Sequence, residues 1–210
     1  MLLLLTGASG AGKSTVLSRL ERVDWEQPVE CAEFDSIGVP AGADTAWRHG
    51  AIEQWVGRAL RSQEQDRHLL LCGQVPLGEL LAAPSADRLE DVAVCMLACS
   101  PDERRTRLTA RGEPEENLIH HVRFGEWFHQ HTLDPTHLPE VIRVDSDVPM
   151  RWDRWATWAA GHPRWHADVI DTDDLDPDAV AARVEAWPSA RWRVATPHPQ
   201  ALWRVGSLSA

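Results

Sequence analysis

The chain has 210 residues, 43% of them hydrophobic, and a formal net charge of −11. That length suits one domain that closes its own core without disulfides or metal, and the acidic balance argues against nucleic-acid or membrane-surface binding, which need clustered positive charge. The longest apolar stretch near the N-terminus, Met1–Leu5, is too short for a signal peptide or a membrane span, so a cytoplasmic protein is expected.

Apolar runs bounded by turn signals predict strands at Leu2–Leu5, about Glu30–Phe34, His68–Cys72, Val92–Ala98 and Asp168–Ile170. The runs are near-continuous rather than alternating, as in strands covered on both faces, so a five-stranded parallel sheet in a three-layer α/β fold is expected. Helical patterns lie between them: Lys13–Val23, Asp44–Gln63, Pro101–Arg111 and Asn117–His131. Pro149–Ala160 also reads as a helix, with Trp152, Trp155 and Trp158 spaced by three. A last helix begins at Asp176-Pro177, an N-cap followed by proline at the first helical position, and is expected to stop at Pro188. Residues 1–187 thus form the domain. The tail, Pro188–Ala210, is expected to dock by Trp192 and Trp203 and add no chemistry. Cys31, Cys72, Cys95 and Cys99 show no CxxC spacing and read as small buried hydrophobes.

Gly7-Ala8-Ser9-Gly10-Ala11-Gly12-Lys13-Ser14 fits GxxxxGK[ST], between a strand and a helix as the motif requires. Glycines let the backbone curl so that successive N–H groups face phosphate oxygens, and the following helix adds its N-terminal N–H groups. Lys13, the one lysine among 21 basic residues, is placed for the β- and γ-phosphates, Ser14 for Mg²⁺ and Thr15 for the α-phosphate. A compact ammonium on a flexible stem suits that slot better than a broad guanidinium. ATP and Mg²⁺ are the cofactors implied.

The cradle does not by itself choose among kinase, ATPase, GTPase and switch. No NKxD segment is present, and the third strand closes on Gly73-Gln74 rather than on an acid. The second ends Glu33-Phe34-Asp35, and strand periodicity puts both acids on one side at the carboxyl edge of the sheet, beside the cradle. One carboxylate suits Mg²⁺ and its waters; the other suits proton abstraction from an attacking hydroxyl.

With these residues the chain resembles the P-loop kinases of the nucleoside-monophosphate-kinase-like group, such as shikimate kinase, gluconate kinase and chloramphenicol phosphotransferase. Glu33-x-Asp35 is similar to the paired acids of the first two, with Glu in place of the first Asp. Phe34–Pro40, "FDSIGVP", is similar to the stretch of the third that carries its proton-accepting Asp. The resemblance covers about residues 1–187. It implies that Glu33 serves the metal and Asp35 the acceptor hydroxyl.

Arg104, Arg107 and Arg111 share one helix face by their spacing. The resemblance makes Arg107 and Arg111, and less closely Arg104, contacts to the transferring phosphoryl group, where planar and permanently charged guanidinium suits the charge. It makes residues 112–139 a lid containing Arg123, a further contact to the bound substrates, and puts the loop after the fifth strand against the adenine. It makes residues 36–63 the acceptor-binding region, where Trp47, Arg48, Gln54 and Trp55 lie, with Gln74 nearby. A small-molecule hydroxyl is the leading acceptor. A phosphate acceptor bound by Arg48 and Arg58 stays open, as does a nucleotide switch that hydrolyses ATP slowly.

Overall fold

A computed structural model describes residues 1–192. Five strands, β1 (Leu2–Thr6), β2 (Val29–Glu33), β3 (His68–Gly73), β4 (Val92–Ala98) and β5 (Asp168–Asp171), form one parallel sheet in the order β2-β3-β1-β4-β5. Six helices surround it: α1 (Lys13–Leu20), α2 (Thr45–Gln63), α3 (Leu77–Ala82), α4 (Pro101–Ala110), α5 (Glu115–Leu133) and α6 (Pro177–Trp192).

The central strand explains the continuous apolar runs. Leu2, Leu3, Leu4 and Leu5 are all 0% exposed. Leu2 and Leu4 join Leu69, Leu71, Val94 and Met96 beneath α2, α3 and α5. Leu3 and Leu5 join Leu70, Cys72, Cys95 and Leu97 beneath α1 and α6. Both faces of β1 are therefore core, and each buried leucine contributes about 1.5–3 kcal/mol. All four thiols are free, and burial pushes those of Cys72 and Cys95 up to about 12. Among the described residues no helix is long and apolar enough to cross a membrane.

Local capping chemistry sets the helix starts. Asp44 accepts from the Trp47 N–H at 2.8 Å to open α2, and Ser100 accepts from the Glu103 N–H at 3.2 Å to open α4. Asp176 takes the N–H groups of Asp178 and Ala179 at 2.9 and 2.8 Å at the start of α6.

Two expectations change, and one helix is new. Pro149–Ala160 is not a helix; it holds only a 3-10 turn at Trp152–Arg154. Its side chains are claimed by neighbours instead. Trp155 is 1% exposed and donates to Gly78 O at 2.9 Å, while Arg154 donates to Leu81 O at 3.2 Å and to Pro84 O at 2.8 Å. The segment thus straps the open carbonyl end of α3. The helix α3 itself carries no sequence signal, because all six of its residues are buried and no amphipathic period exists to detect. Helix α6 runs through Pro188 to Trp192, so the proline lies in its last turns rather than beyond its end. Residues 112–139, read as a lid, are largely the expected helix, α5, and its Trp127 and Phe128 lie in the core beside the sheet. The expected docking of the Trp192 and Trp203 side chains lies outside what the structure describes.

His131 sits in a box of rings. It stacks on Trp127 at 5.1 Å and meets Trp155 and Trp165 edge-on at 5.9 and 5.3 Å. Its Nδ1 lies 3.0 Å from His137 O, and its buried Nε2 has no hydrogen-bond partner among the described residues. Burial lowers its pKa to about 4 from 6.5. The neutral ring is the native form, so its contribution to stability is complete above about pH 6.5 and is lost as pH falls toward 4. Acid titration of the folding free energy should show a loss of about 3 kcal/mol over this window, reduced in His131→Phe. In the same core, Trp55→Ala should cost about 3–5 kcal/mol in denaturant melts.

Candidate active site

The cradle runs from β1 into α1. Gly12, immediately before the helix, has φ 91°, a left-handed conformation open to glycine and strained for other residues. The first N–H groups of α1 have no partner inside the helix and are free for an anion. The loop's carbonyls are held by donors from elsewhere. Lys13 Nζ donates to Ala8 O at 3.1 Å, Arg104 donates to Ser9 O, and Arg107 donates to Gly10 O at 3.4 Å. Gln74 Oε1 accepts from Ser9 N at 3.0 Å and from Ser9 Oγ at 3.2 Å. Burial lowers the Lys13 pKa to about 8, with nearby Arg104 and Arg111 adding to the effect and Asp35 opposing it.

Beside the cradle, Ser14 Oγ donates to Glu33 Oε1 at 3.0 Å. Glu33 ends β2, but Asp35 does not continue the strand. Phe34–Ile37 winds into a 3-10 turn, so the shared side expected from strand periodicity is replaced by a turn. Both acids still reach one cleft, because Phe34 fixes the turn from below. Its ring is 3% exposed, its carbonyl accepts from Trp55 Nε1 at 3.0 Å, and its Cβ closes on Gly73 so tightly that a methyl there would collide. The Asp35 carboxylate has no hydrogen-bond partner among the described residues.

The cleft has a volume of about 1050 Å³. Of the predicted site residues it brings together Ser9, Gly10, Gly12, Lys13, Ser14 and Thr15 with Glu33 and Asp35. Arg48, Gln74, Arg107 and Arg111 complete its walls. Gly7, Ala8 and Ala11 serve as the turn's frame rather than as lining. A second cavity of about 340 Å³ adjoins the cleft across Gly12, Thr15 and Arg107, and the chain after β5 closes it with Thr172, Leu175 and Pro177.

The three arginines of α4 divide their work. Arg104 is 4% exposed, bonded to Ser9 O and Cys99 O and pressed against Gly125 of α5, so its place is behind the cradle and not at the phosphates. Arg107 is held by Glu103 at 2.7 Å and by Thr172 Oγ1 and O at 2.9 and 2.7 Å, and lines both cavities. Arg111 ends α4 at the rim of the cleft, with no side-chain hydrogen bond or ion pair among the described residues.

Gln54, Arg123 and Arg58 lie away from the cleft. Gln54 lies on the solvent face of α2, since Ile52, Trp55 and Val56 take the buried face. Arg123 is exposed on α5 and lines a different hollow, of about 680 Å³, with Glu126 and His129. Arg48 reaches the cleft, but its Nε and Nη2 both donate to Glu79 at 2.6 Å. Glu79 is 0% exposed, and His49 Nε2 lies 3.5 Å away. Sequence reasoning missed Glu79, whose one available signal was a lone acid in the apolar run Val75–Ala83. Arg58 is paired with Glu30 and lies over the Trp55 ring at 5.0 Å, away from the cleft.

No family model matches this chain, and no curated protein matches it by sequence. Solved structures do resemble it. The Mycobacterium tuberculosis APS kinase CysC, in complex with AMPPNP and APS, aligns with TM-score 0.51 at 18% identity, over 90% of this chain and 96% of that one. The protein APE1195 aligns with TM-score 0.55 at 15% identity, over 90% and 95% of the two chains. An uncharacterized protein from Eubacterium ventriosum aligns with TM-score 0.50 at 11% identity, over 91% and 99%. At these identities the likeness is one of fold. With the strand order β2-β3-β1-β4-β5 and the cradle after β1, the chain has the P-loop kinase fold.

Proposed function

We propose that this protein transfers the γ-phosphoryl group of ATP to a hydroxyl of a small molecule. The observation that carries the reading is the convergence on one cleft of Lys13, Arg107, Arg111 and an Asp35 carboxylate without a hydrogen-bond partner among the described residues. The triphosphate would lie along the free N–H groups of α1, with the base in the adjoining cavity between Arg107 and the Thr172–Pro177 segment. Ser14 and Glu33 present hard oxygens 3.0 Å apart and so fit Mg²⁺, which keeps its waters and phosphate oxygens and uses few protein ligands. When bound, the ion supplies charge neutralisation across the β- and γ-phosphates.

The acceptor hydroxyl attacks the γ-phosphorus in line with the bridging oxygen. As the new P–O bond forms and the β–γ bridge breaks, the hydroxyl proton passes to Asp35 and ADP departs. Lys13 and Arg111 meet the charge spread over the transferring oxygens. Arg107 positions the nucleotide through its grip on Gly10 O and Thr172.

Asp35→Asn should leave the ATP dissociation constant within about twofold while lowering kcat about 10²–10⁴-fold. Transfer at the normal rate in this variant removes Asp35 as the base. The slow-hydrolysis alternative is read in the same assay, where ATP consumption must rise with added acceptor.

Lys13 gives a second test. In the free protein it titrates at about 8, and triphosphate charge draws it back toward 10.5. Nucleotide binding should therefore take up protons between about pH 8 and 10, and little below about pH 7 where the amine is already charged. Affinity should fall as pH rises through this range. Calorimetry in two buffers of different ionisation enthalpy measures the uptake, and Lys13→Met should abolish it.

A further inference from the structure

We propose that the acceptor is an alcohol without any anionic group, neutral or cationic, whose flat apolar part lies against Trp47. This deepens the kinase reading above and rests on it. The argument is a charge count over the acceptor half of the cleft. Arg48 is the cation there, and it is already neutralised. Its Nε and Nη2 donate in parallel to the two oxygens of Glu79, each at 2.6 Å. Glu79 is 0% exposed. Drawing the guanidinium away to a ligand phosphate or carboxylate would leave that carboxylate charged in the core, a costly state. His49 is no substitute, since Ile142 O and Ser146 Oγ hold its ring at 3.0 Å each. Arg58 is committed to Glu30 outside the cleft.

What remains in that half is acidic and apolar. The Asp35 carboxylate has no hydrogen-bond partner among the described residues, and Asp44, which also lines the cleft, uses one oxygen to cap α2. Trp47 offers its ring, held edge-on to Phe34 at 6.2 Å, and Val39, 49% exposed, adds an apolar rim. Lys13 and Arg111 belong to the phosphate half and are consumed by the triphosphate. An acceptor with its own phosphate or carboxylate would meet two carboxylates and a bound polyanion, with no free cation in that half among the described residues. A protonated amine would meet Asp44 and an indole face, both favourable.

The test uses the full chain loaded with Mg²⁺ and AMPPNP, titrated calorimetrically with three alcohols on one phenyl scaffold: phenylalaninol (cationic), phenylpropanol (neutral) and phenyllactate (anionic). The first two should bind at least about tenfold more tightly than phenyllactate, and phenylalaninol more tightly than phenylpropanol. Equal affinities, a reversed order or no binding by any of the three overturns the proposal. Glu79→Gln frees the Arg48 charge and should shrink the discrimination to within about threefold. Should that variant fail to fold by circular dichroism, Asp44→Asn serves instead and should erase the advantage of phenylalaninol over phenylpropanol. Discrimination unchanged in the folded variant also overturns the assignment. Phosphoryl transfer is read separately, by mass spectrometry with ATP. Alcohols that bind in the expected order yet are never phosphorylated sink the kinase reading and leave the charge preference standing.

Discussion

A loop that offers its N–H groups to phosphate must send its carbonyls the other way, and each of those carbonyls then needs a donor. The rest of this site follows from that requirement. Ala8 O is met by Lys13, Ser9 O by Arg104 and Gly10 O by Arg107. The last two donors come from α4, roughly a hundred residues along the chain. The cradle therefore keeps its form only while α4 lies across it, and α4 lies there because Arg104 is pressed between the loop and Gly125 of α5. The helix expected to lend arginines to phosphates is first a scaffold for the backbone that binds them.

The acceptor half is built by a second buried polar device. The bidentate Arg48–Glu79 pair ties α2 to α3, and α3 is in turn held by Arg154, which donates to Leu81 O at its carbonyl end, and by the Trp155 indole on Gly78 O in its first turn. Side chains from three remote segments thereby fix the angle at which Trp47 and Asp44 face the cleft. Buried ionic pairs seldom add much stability over apolar packing, but here the pair determines what charge the cleft shows to a ligand. Phe34 performs the matching task on the other wall. Pressed on Gly73 and bonded to Trp55, it holds the turn that carries Asp35.

Much of the fold was legible because its causes are local. A strand buried on both faces must be apolar throughout, and β1, β3 and β4 show it, whereas the edge strands β2 and β5 are partly exposed and carry acids. Asp44, Ser100 and Asp176 announce helix starts because capping acts over three residues. The strap at Pro149–Ala160 shows where such reading fails. Its tryptophans recur every third position, yet each indole answers to a different neighbour: Trp155 to Gly78 and Trp158 to His162, on which it stacks at 4.2 Å. Aromatic residues have modest helix propensity, so tertiary burial prevails. The six-residue α3 has the opposite problem, with no polar face to reveal its period.

The sequence by itself determined the cradle, the place of Lys13 and Ser14 within it, the paired acids after β2, and the parallel sheet that sets them at one edge. All of these are fixed by spacing along a few consecutive residues or by the period of a single element. Only the tertiary structure decided which arginines remain free. Arg104 went behind the cradle, Arg48 to Glu79 and Arg58 to Glu30, while Arg111 stayed at the rim. It also turned Gln54 to solvent and carried Arg123 to another hollow. The physical reason is that a guanidinium carries the same charge wherever it sits, and its availability depends on a partner that the fold brings from far along the chain.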